Sequence, residues 1–351
     1  MSYIKKPSVT HPSLQPNELG LTLRDYEGSM STLCAGCGHD SITAAIVRAL
    51  YELDLPPHRI AKLSGIGCSS KTPTYFASSA HGFNSAHGRM PAIATGANAA
   101  NRELAYIGVS GDGDSMSIGL GQLCHAIRRN VNMLYVIENN GCYGLTKGQF
   151  SASSDIGSKS KKGEANTMAP LDPVMMALTI GATFVARSFS GDKAQLVPIL
   201  KAGLRHNGFA IVDVISPCVT FNDHEGSTKS YAYTRKHQLP VIESDFVEPK
   251  SEITATLPPG ASTTVTLHDG STVRFRKVAE DYDPTDRAKV MAYLQEHQRS
   301  GEVPVGLLHL DTSGIEMHQG MQTTKVPLSE LPYETLCPGS AALEKLQRAY
   351  R

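Results

Sequence analysis

The stretch AYIGVSGDGDSMSIGLGQLCHAIRRNVNMLYVIENNGCYG, residues 105–144, decides the fold of this chain. It contains an apolar strand at 105–110, a helix with one apolar face at 117–130 and a second apolar strand at 132–139. These elements form a βαβ unit, whose strands are parallel. The same order recurs later in the chain, as a strand, a helix and a strand at 182–188, 193–206 and 209–216. Apolar strands of this kind are covered on both faces, so the sequence predicts an α/β fold with a doubly wound, mostly parallel sheet.

Predicted elements on both sides of this core divide the chain into three parts. A helix at 42–53 and a strand at 58–65 precede the core. Residues 1–33 are rich in Pro, Ser and Thr without periodicity, so we expect an N-terminal arm. Residues 34–220 would form the main domain, and residues 221–351 a C-terminal extension that packs on it.

The C-terminal extension contains a predicted hairpin outside the main sheet. Its sequence TTVTLHDGSTVRFR (263–276) alternates on both sides of a central Asp-Gly pair. A three-residue loop would place Val265 opposite Phe275 and Leu267 opposite Val273.

A helix is predicted after the hairpin, in DPTDRAKVMAYLQEHQ (283–298). Asp283 has the side chain of an N-cap, and Pro284 suits the first helical position because it lacks a backbone N–H. We expect this helix to end before Gly301.

Composition excludes several classes of protein. The 351 residues include 33 basic and 33 acidic side chains, so the formal net charge is zero. Proteins that bind nucleic acid or anionic membranes need a cationic surplus, so neither partner is expected. No apolar run approaches the roughly 18 residues of a spanning helix, and the N-terminus lacks the apolar region of a secretory signal. The sequence therefore predicts a cytoplasmic protein that acts on a small molecule or on another protein.

Hard oxygen donors follow two neighbouring strands of the predicted sheet. Asp112 comes directly after the strand 105–110, and Asn140 after the strand 132–139. Ligands of open parallel sheets bind beyond the carboxyl ends of the strands, where these side chains should meet. A carboxylate, an amide oxygen and a backbone carbonyl suit Mg²⁺ bound to phosphates. A dinucleotide fingerprint is excluded because Met116 stands at its last glycine, and no P-loop motif is present.

Four of the seven cysteines have small neighbours that would let the backbone approach a bulky inorganic group. They are Cys34, Cys37, Cys68 and Cys218. Four thiolates fit either an iron–sulfur cluster or structural zinc, and a CxxC pair could also be a redox-active dithiol. Cys124 follows the helical spacing of Leu120, Leu123 and Ile127, so it is predicted to be a small core residue. Cys337 gives no signal.

Five ordered motifs resemble the β subunit of a 2-oxoacid:ferredoxin oxidoreductase. They are LCAGCGHD (33–40), GIGCSS (65–70), HGRMPAIATG (87–96), the GDG…NN segment that begins at Gly111, and YGLTKGQ (143–149). GDG…NN is the thiamin-diphosphate motif of that family, and the resemblance covers roughly residues 30–235. It implies a thiamin-diphosphate-binding fold of the diphosphate-domain type.

The resemblance implies three bound groups in the domain 34–220. Mg²⁺ would be held by Asp112, the Asn140 side chain and the Cys142 carbonyl. One [4Fe–4S] cluster would be held by the thiolates of Cys34, Cys37, Cys68 and Cys218. Thiamin diphosphate would lie against the residues of four segments, namely Gly65, Ile66, Gly67 and Cys68; His87 and Gly88; Gly111, Asp112, Gly113 and Asp114; and Asn140, Cys142, Tyr143, Gly144, Leu145 and Thr146.

The resemblance also implies an activity and partners. Such enzymes decarboxylate a 2-oxo acid oxidatively, pass electrons through the cluster to ferredoxin, and transfer the acyl group to coenzyme A. The reverse direction, carboxylation of an acyl-CoA, would fix carbon dioxide. Because the chain carries only the diphosphate type of domain, an α subunit should supply the pyrimidine domain in an α/β heterodimer or its dimer. The C-terminal extension is expected to pack on that subunit as well.

The choice of substrate is expected to depend on YGLTKGQ. Pyruvate-type relatives tend to carry Asn where Leu145 stands and Gly where Lys147 stands. Lys147 offers a cation that could pair with the second carboxylate of 2-oxoglutarate, so the predicted catalytic set is Leu145, Thr146 and Lys147. An enzyme for pyruvate or for a broad range of 2-oxo acids is the first alternative. A non-oxidative thiamin enzyme with structural zinc and an electron-transfer subunit without thiamin are the others.

Overall fold

One sheet of eight strands organises the chain. The computed structural model describes residues 14–159, 163–242, 262–266, 272–276 and 282–350. The strands of the chain are β1 Ile60–Ser64, β2 His81–Asn84, β3 Ala105–Gly111, β4 Met133–Asn139, β5 Cys142–Tyr143, β6 Gln149–Phe150, β7 Phe184–Phe189, β8 Phe209–Ile215, β9 Gln238–Ile242, β10 Ser262–Thr266, β11 Thr272–Arg276 and β12 Val303–Leu310. The order in the main sheet is β2-β1-β3-β4-β8-β7-β12-β9, and β5-β6 and β10-β11 form two separate hairpins. Only the pairing of β12 with β7 is antiparallel within the described main sheet, which confirms the mostly parallel prediction.

Helices cover both faces of this sheet. They are α1 Gly38–Glu52, α2 Met90–Ala100, α3 Leu120–Arg128, α4 Pro173–Ile180, α5 Lys193–Arg205, α6 Tyr231–His237, α7 Arg287–Ser300, α8 Met317–Met321, α9 Tyr333–Leu336 and α10 Ser340–Arg348. Side chains of α2, α3, α4 and α7 pack into one apolar core, and those of α1 and α5 into a second core. The central strands β4 and β8 are buried at all of their positions, which explains why most of their residues are apolar.

The region before the sheet lies on α1. Leu23–Tyr26 forms a 3-10 turn with a buried tyrosine. The Asn17 side chain donates to the Tyr26 hydroxyl (2.9 Å) and to the Tyr51 carbonyl (3.1 Å). The described part of the predicted arm is therefore attached to the main domain through polar contacts with α1. The predicted domain boundaries remain predictions.

Two details of the predicted elements are corrected, and one is confirmed. The helix predicted at 117–130 begins only at Leu120, because Asp114–Ile118 forms a π-helical turn at the strand end. The last predicted helix begins after Asp286, whose carboxylate caps it, whereas the Asp283 carboxylate accepts bonds from Thr285. Gly301 ends this helix in the left-handed conformation, as expected.

The hairpin β10-β11 exists, but its predicted register is wrong. Val265 pairs with Val273, and Thr263 pairs with Phe275. The last described pair of the ladder is Thr266 and Thr272, so the pairing is shifted from the predicted one. The position predicted for Leu267 lies outside the described residues.

Five elements of the described main sheet and its cover were not predicted. They are α2, α4, β2, β9 and β12. In the described part of the chain, no helix is both long and apolar enough to cross a membrane.

Candidate functional site

A polar cavity lies at the carboxyl edge of β3 and β4. Its walls are the loops 66–69, 111–114 and 140–144, together with His39 from the start of α1. Because β3 and β4 are neighbours and parallel, the loops that follow them meet at one edge. The structure therefore brings together the two oxygen donors predicted from the sequence, Asp112 and Asn140.

Asp112 is held in place by two hydroxyl groups. Its side chain is buried, and its Oδ2 atom accepts hydrogen bonds from Ser151 and from Ser153 (2.5 Å for Ser153). Burial raises the pKa of Asp112, and the two serine hydroxyls oppose that shift. Both hydroxyls bond the same carboxylate oxygen.

Asn140 stabilises the turn that follows β4 at the cavity. Its Oδ1 atom accepts the Cys142 N–H (3.0 Å), and its backbone carbonyl accepts from Asn222 (2.8 Å). Gly141 has φ = +68°, a conformation that suits glycine. A carboxylate, an amide and a nearby backbone carbonyl are ligands that Mg²⁺ prefers. This donor set fits the ion predicted from the sequence.

Asp114 ties two loops to the end of β3. Its carboxylate accepts the Gly88 N–H (2.7 Å), the Ser110 hydroxyl (2.8 Å) and the Ile66 N–H (3.2 Å). The carboxylate is buried and engaged in these bonds, so its visible role is to position the loops around the predicted diphosphate site. His87, on the second loop, is exposed and does not line the cavity.

Close backbone contacts require glycine at two positions of the site. A Cβ atom on Gly65 would lie 2.3 Å from the Ser110 hydroxyl, and one on Gly113 would lie 2.4 Å from the Tyr143 ring. The Tyr143 hydroxyl donates to the Gly113 carbonyl (2.9 Å). The glycine-rich loop is thereby held against the loop that follows β4.

The predicted catalytic set lies on the exposed turn between β5 and β6. Leu145 is 52% exposed, and Thr146 and Lys147 are exposed as well. The Thr146 hydroxyl donates to the Gln149 side chain (2.7 Å). Lys147 has φ = +79°, a conformation that strains a residue with a Cβ atom. Such strain is typical of functional turns.

Four cysteines approach one another beside the cavity, and we call them the cysteine group: Cys34, Cys37, Cys68 and Cys218. A Cβ atom on Gly144 would lie 3.4 Å from the Cys218 sulfur and 3.5 Å from the Cys68 sulfur, so both thiols flank this loop. The Thr220 hydroxyl donates to the Cys34 sulfur (3.6 Å). Burial raises the pKa of Cys37 to about 12, and the charges of Cys218 and Cys68 add to that shift.

Cys218 is the member of the group whose thiolate is best stabilised. A hydrogen bond from the Cys142 thiol lowers its pKa to about 6, against the effect of burial, and the backbone N–H groups of residues 220–222 contribute. Thiolates, not thiols, bind metals.

In the described residues, no three His, Cys, Asp or Glu side chains form a group that could hold a metal ion. Cys337 is exposed, and Cys124 is partly exposed on α3 instead of lying in the core as predicted.

Several residues of the site gave no signal in the sequence. Ser151 and Ser153 reach Asp112 from about 40 positions away, and a short serine-rich stretch looks like any polar loop. The buried residues His39, Thr72 and Glu138 were also missed, because their contacts join distant segments.

Comparisons with known proteins agree with this geometry. Residues 65–214 match the family model of the thiamine pyrophosphate enzyme, C-terminal TPP binding domain. A 2-oxoacid:ferredoxin oxidoreductase subunit beta of Saccharolobus solfataricus is 41% identical over 59% of this chain and 67% of its own length. The chain belongs to the β subunits of the 2-oxoacid:ferredoxin oxidoreductases.

Two further relatives of this family concern 2-oxoglutarate. A 2-oxoglutarate oxidoreductase subunit KorB of Mycobacterium tuberculosis is 44% identical over 54% of this chain, and the match spans 51% of that relative. The structure is similar to a 2-oxoglutarate:ferredoxin oxidoreductase from Magnetococcus marinus with 2-oxoglutarate, coenzyme A and succinyl-CoA bound. The TM-score is 0.70 at 31% identity, and the similarity covers 89% of this chain and 92% of that one.

Proposed function

We propose that this β subunit, with an α subunit, decarboxylates 2-oxoglutarate oxidatively to succinyl-CoA and carbon dioxide. Ferredoxin would accept the electrons, and the same site could run in reverse. Support comes from the relatives that are named for 2-oxoglutarate and from the ligands bound in the Magnetococcus marinus structure. The α subunit would supply the pyrimidine domain, since residues 65–214 match the thiamin-binding C-terminal domain.

The observation that carries the proposal is the shared wall between the cofactor cavity and the cysteine group. Cys68 lines the cavity, and its sulfur and that of Cys218 flank Gly144, which lines the cavity too. A [4Fe–4S] cluster on these thiolates would supply one-electron steps beside the cofactor. A thiamin enzyme without oxidation has no need of such a group, and an electron-transfer subunit has no need of Asp112 and Asn140.

The residues at the strand ends would bind the remaining groups. Asp112, Asn140 and the Cys142 carbonyl would hold Mg²⁺, and the loops 65–67, 111–114 and 143–146 would enclose the diphosphate. When bound, thiamin diphosphate supplies the carbon nucleophile for the 2-oxo carbon and the electron sink for decarboxylation. The buried Ser151 and Ser153 hydroxyls keep Asp112 oriented for its metal.

Lys147 would select the substrate. It is exposed on the turn that follows the predicted metal loop, and it adopts a left-handed conformation in which glycine would be unstrained. A lysine kept at such a position suggests a use for its ammonium group. Pairing with the distal carboxylate of 2-oxoglutarate would contribute about 1.5 to 3 kcal/mol, or roughly 10- to 150-fold in selectivity.

Kinetics of the Lys147→Met variant test this proposal. In the α/β complex, kcat/KM should fall roughly 10- to 150-fold for 2-oxoglutarate and much less for pyruvate. The control is Lys325→Met, because Lys325 is an exposed lysine near Arg102 and Asn207, which precede β3 and β8 at the opposite edge of the sheet. An equal loss on both substrates would show that Lys147 does not recognise the distal carboxylate, and a wild-type preference for pyruvate would favour the alternative substrate.

A further inference from the structure

Four buried polar side chains meet beside the cysteine group, and we call them the polar hub: His39, Thr72, Glu138 and Ser216. At most 1% of each residue is exposed. Three of them lie two to four positions from a member of the cysteine group. His39 follows Cys37, Thr72 follows Cys68, and Ser216 precedes Cys218. The fourth, Glu138, lies near the end of β4, two residues before Asn140.

Contacts within the polar hub converge on the Glu138 carboxyl group. The Thr72 hydroxyl donates to both of its oxygens, at 2.9 and 3.1 Å. His39 Nδ1 lies 3.7 Å from one of them and 2.6 Å from the Ser216 hydroxyl. The loops that carry three cysteines are thereby connected to a single side chain of the central sheet.

The location of Glu138 in the sheet connects the polar hub with the cofactor site as well. Within the ladder, Glu138 pairs with Gly111 of β3 on one side and with Val214 of β8 on the other. His39 belongs both to the polar hub and to the cavity wall. The polar hub is therefore connected to β3 and β4, whose ends carry the predicted metal ligands. It is also connected to the segments that carry the cysteines.

The backbone around the polar hub has little freedom to shift. A Cβ atom on Gly38 would lie 2.5 Å from the Ser216 hydroxyl, so the start of α1 packs directly on the segment before Cys218. Burial raises the pKa of Glu138 and lowers the pKa of His39 to about 4. Burying such groups is costly, and apolar side chains of similar size would stabilise a core at least as well. A function beyond packing would account for the burial of Glu138 and His39.

We propose that Glu138 is a positioning residue for the iron–sulfur cluster. Through the polar hub, it holds the loops of Cys37, Cys68 and Cys218 in fixed positions relative to β4. This inference rests on the proposed function, because the cluster itself is part of that proposal. Fixing the loops also fixes how the cysteine thiolates are oriented and hydrogen-bonded. These features set the spectroscopic signature and the reduction potential of a cluster.

Three variants in the anaerobically purified α/β complex test the inference. Glu138→Leu removes both acceptors at similar volume, Thr72→Val removes the donor, and Glu138→Gln keeps an acceptor and the shape. The readouts are the electron paramagnetic resonance spectrum of the reduced cluster, its midpoint potential, the iron and thiamin content, and the melting temperature. We expect Glu138→Leu and Thr72→Val to alter the spectrum and shift the potential with thiamin retained, and Glu138→Gln to restore both.

The matched control is Thr183→Val. Thr183 is a buried threonine whose hydroxyl donates to Asn130 (2.9 Å), beside the start of β7 and away from the cysteines. It should lower the melting temperature and leave the spectrum and potential unchanged. If Glu138→Leu and Thr72→Val behave like this control, the polar hub is only a packing feature and the inference is wrong. A wild-type complex without iron would instead overturn the proposed function itself, together with this inference.

Discussion

At the scale of the residue, the proposed function assigns metal binding and electron transfer to different types of side chain. Oxygen donors at the ends of β3 and β4 line the cavity, and sulfur donors lie behind the loop that contains Gly144. Asp112 is the charged member of the oxygen set, and its two serine partners hold it by one oxygen only. Asp112 can therefore be replaced without removing any of the four thiols.

Asp112→Ala should remove most of the bound thiamin diphosphate and leave the iron in place. The variant loses the only carboxylate that the proposal assigns to Mg²⁺, while the cysteines keep their neighbours. Thiamin and iron should be measured on the same purified complex. Wild-type thiamin occupancy in this variant would refute the metal assignment, and loss of both groups would show that the two sites are not independent.

Cys218→Ser and Cys124→Ser should have opposite effects on the cluster. Cys218 is the thiolate held by backbone N–H groups, so its loss should degrade the cluster and abolish ferredoxin reduction. Cys124 is partly exposed on α3, away from the group, so its serine variant should keep a wild-type iron content. Equal iron content in the two variants would contradict the ligand set.

At the scale of the element, the sequence predicts best those strands and helices whose patterns are local in the chain. The strands β3, β4, β7 and β8 and the helices α1 and α5 were predicted because a buried strand and an amphipathic helix have local patterns. The first residue of α7 was misplaced because two aspartates with capping ability lie three positions apart, and only the backbone shows which one caps.

The residues of the candidate site also divide into those with local sequence motifs and those that depend on contacts across the fold. GDG, NN and the cysteine motifs contain short-range backbone requirements, so they were visible in the sequence. Ser153 on Asp112, and Thr72 on Glu138, are contacts across the fold that a single sequence does not reveal. The sequence analysis assigned Asp112 to Mg²⁺ and Asp114 to the diphosphate site, and in the structure Asp112 accepts from the serines while Asp114 ties two loops to β3.

The junction of α5 and β7 should make the fold sensitive to acid. His206 ends α5, its Nε2 lies 2.8 Å from the Thr183 hydroxyl, and burial lowers its pKa to about 4. Because the unfolded value is about 6.5, the folded chain favours the neutral ring. The stability that this provides is complete above pH 6.5 and is lost as the pH falls from about 6.5 through 4.

Chemical unfolding of the wild type and of His206→Gln at pH 7.5 and pH 5 tests this expectation. Glutamine keeps a hydrogen-bonding group near Thr183 but does not titrate. Between the two pH values the wild type should lose about 1 to 2 kcal/mol more than the variant. His58→Gln, at an exposed histidine, is the control and should lose as much as the wild type. Identical losses in His206→Gln and the wild type would contradict the assignment.

At the scale of the whole molecule, the sheet places the two proposed binding sites side by side. Helices α1 and α5 cover one face and α2, α3, α4 and α7 the other, so the carboxyl edge of the strands is left for the loops that bind ligands. The start of α1 carries Cys37, and the loops after β1 and β8 carry Cys68 and Cys218. Parallel pairing brings these loops to the edge where β3 and β4 end.

We propose that this chain couples decarboxylation of a 2-oxo acid to electron transfer. Ferredoxin reduction by the anaerobically purified α/β complex, with 2-oxoglutarate and coenzyme A as the only substrates, tests this proposal. We expect a brown complex and succinyl-CoA formed in step with reduced ferredoxin. A colourless complex that contains zinc, or one that releases carbon dioxide from 2-oxoglutarate without reducing ferredoxin, would contradict it.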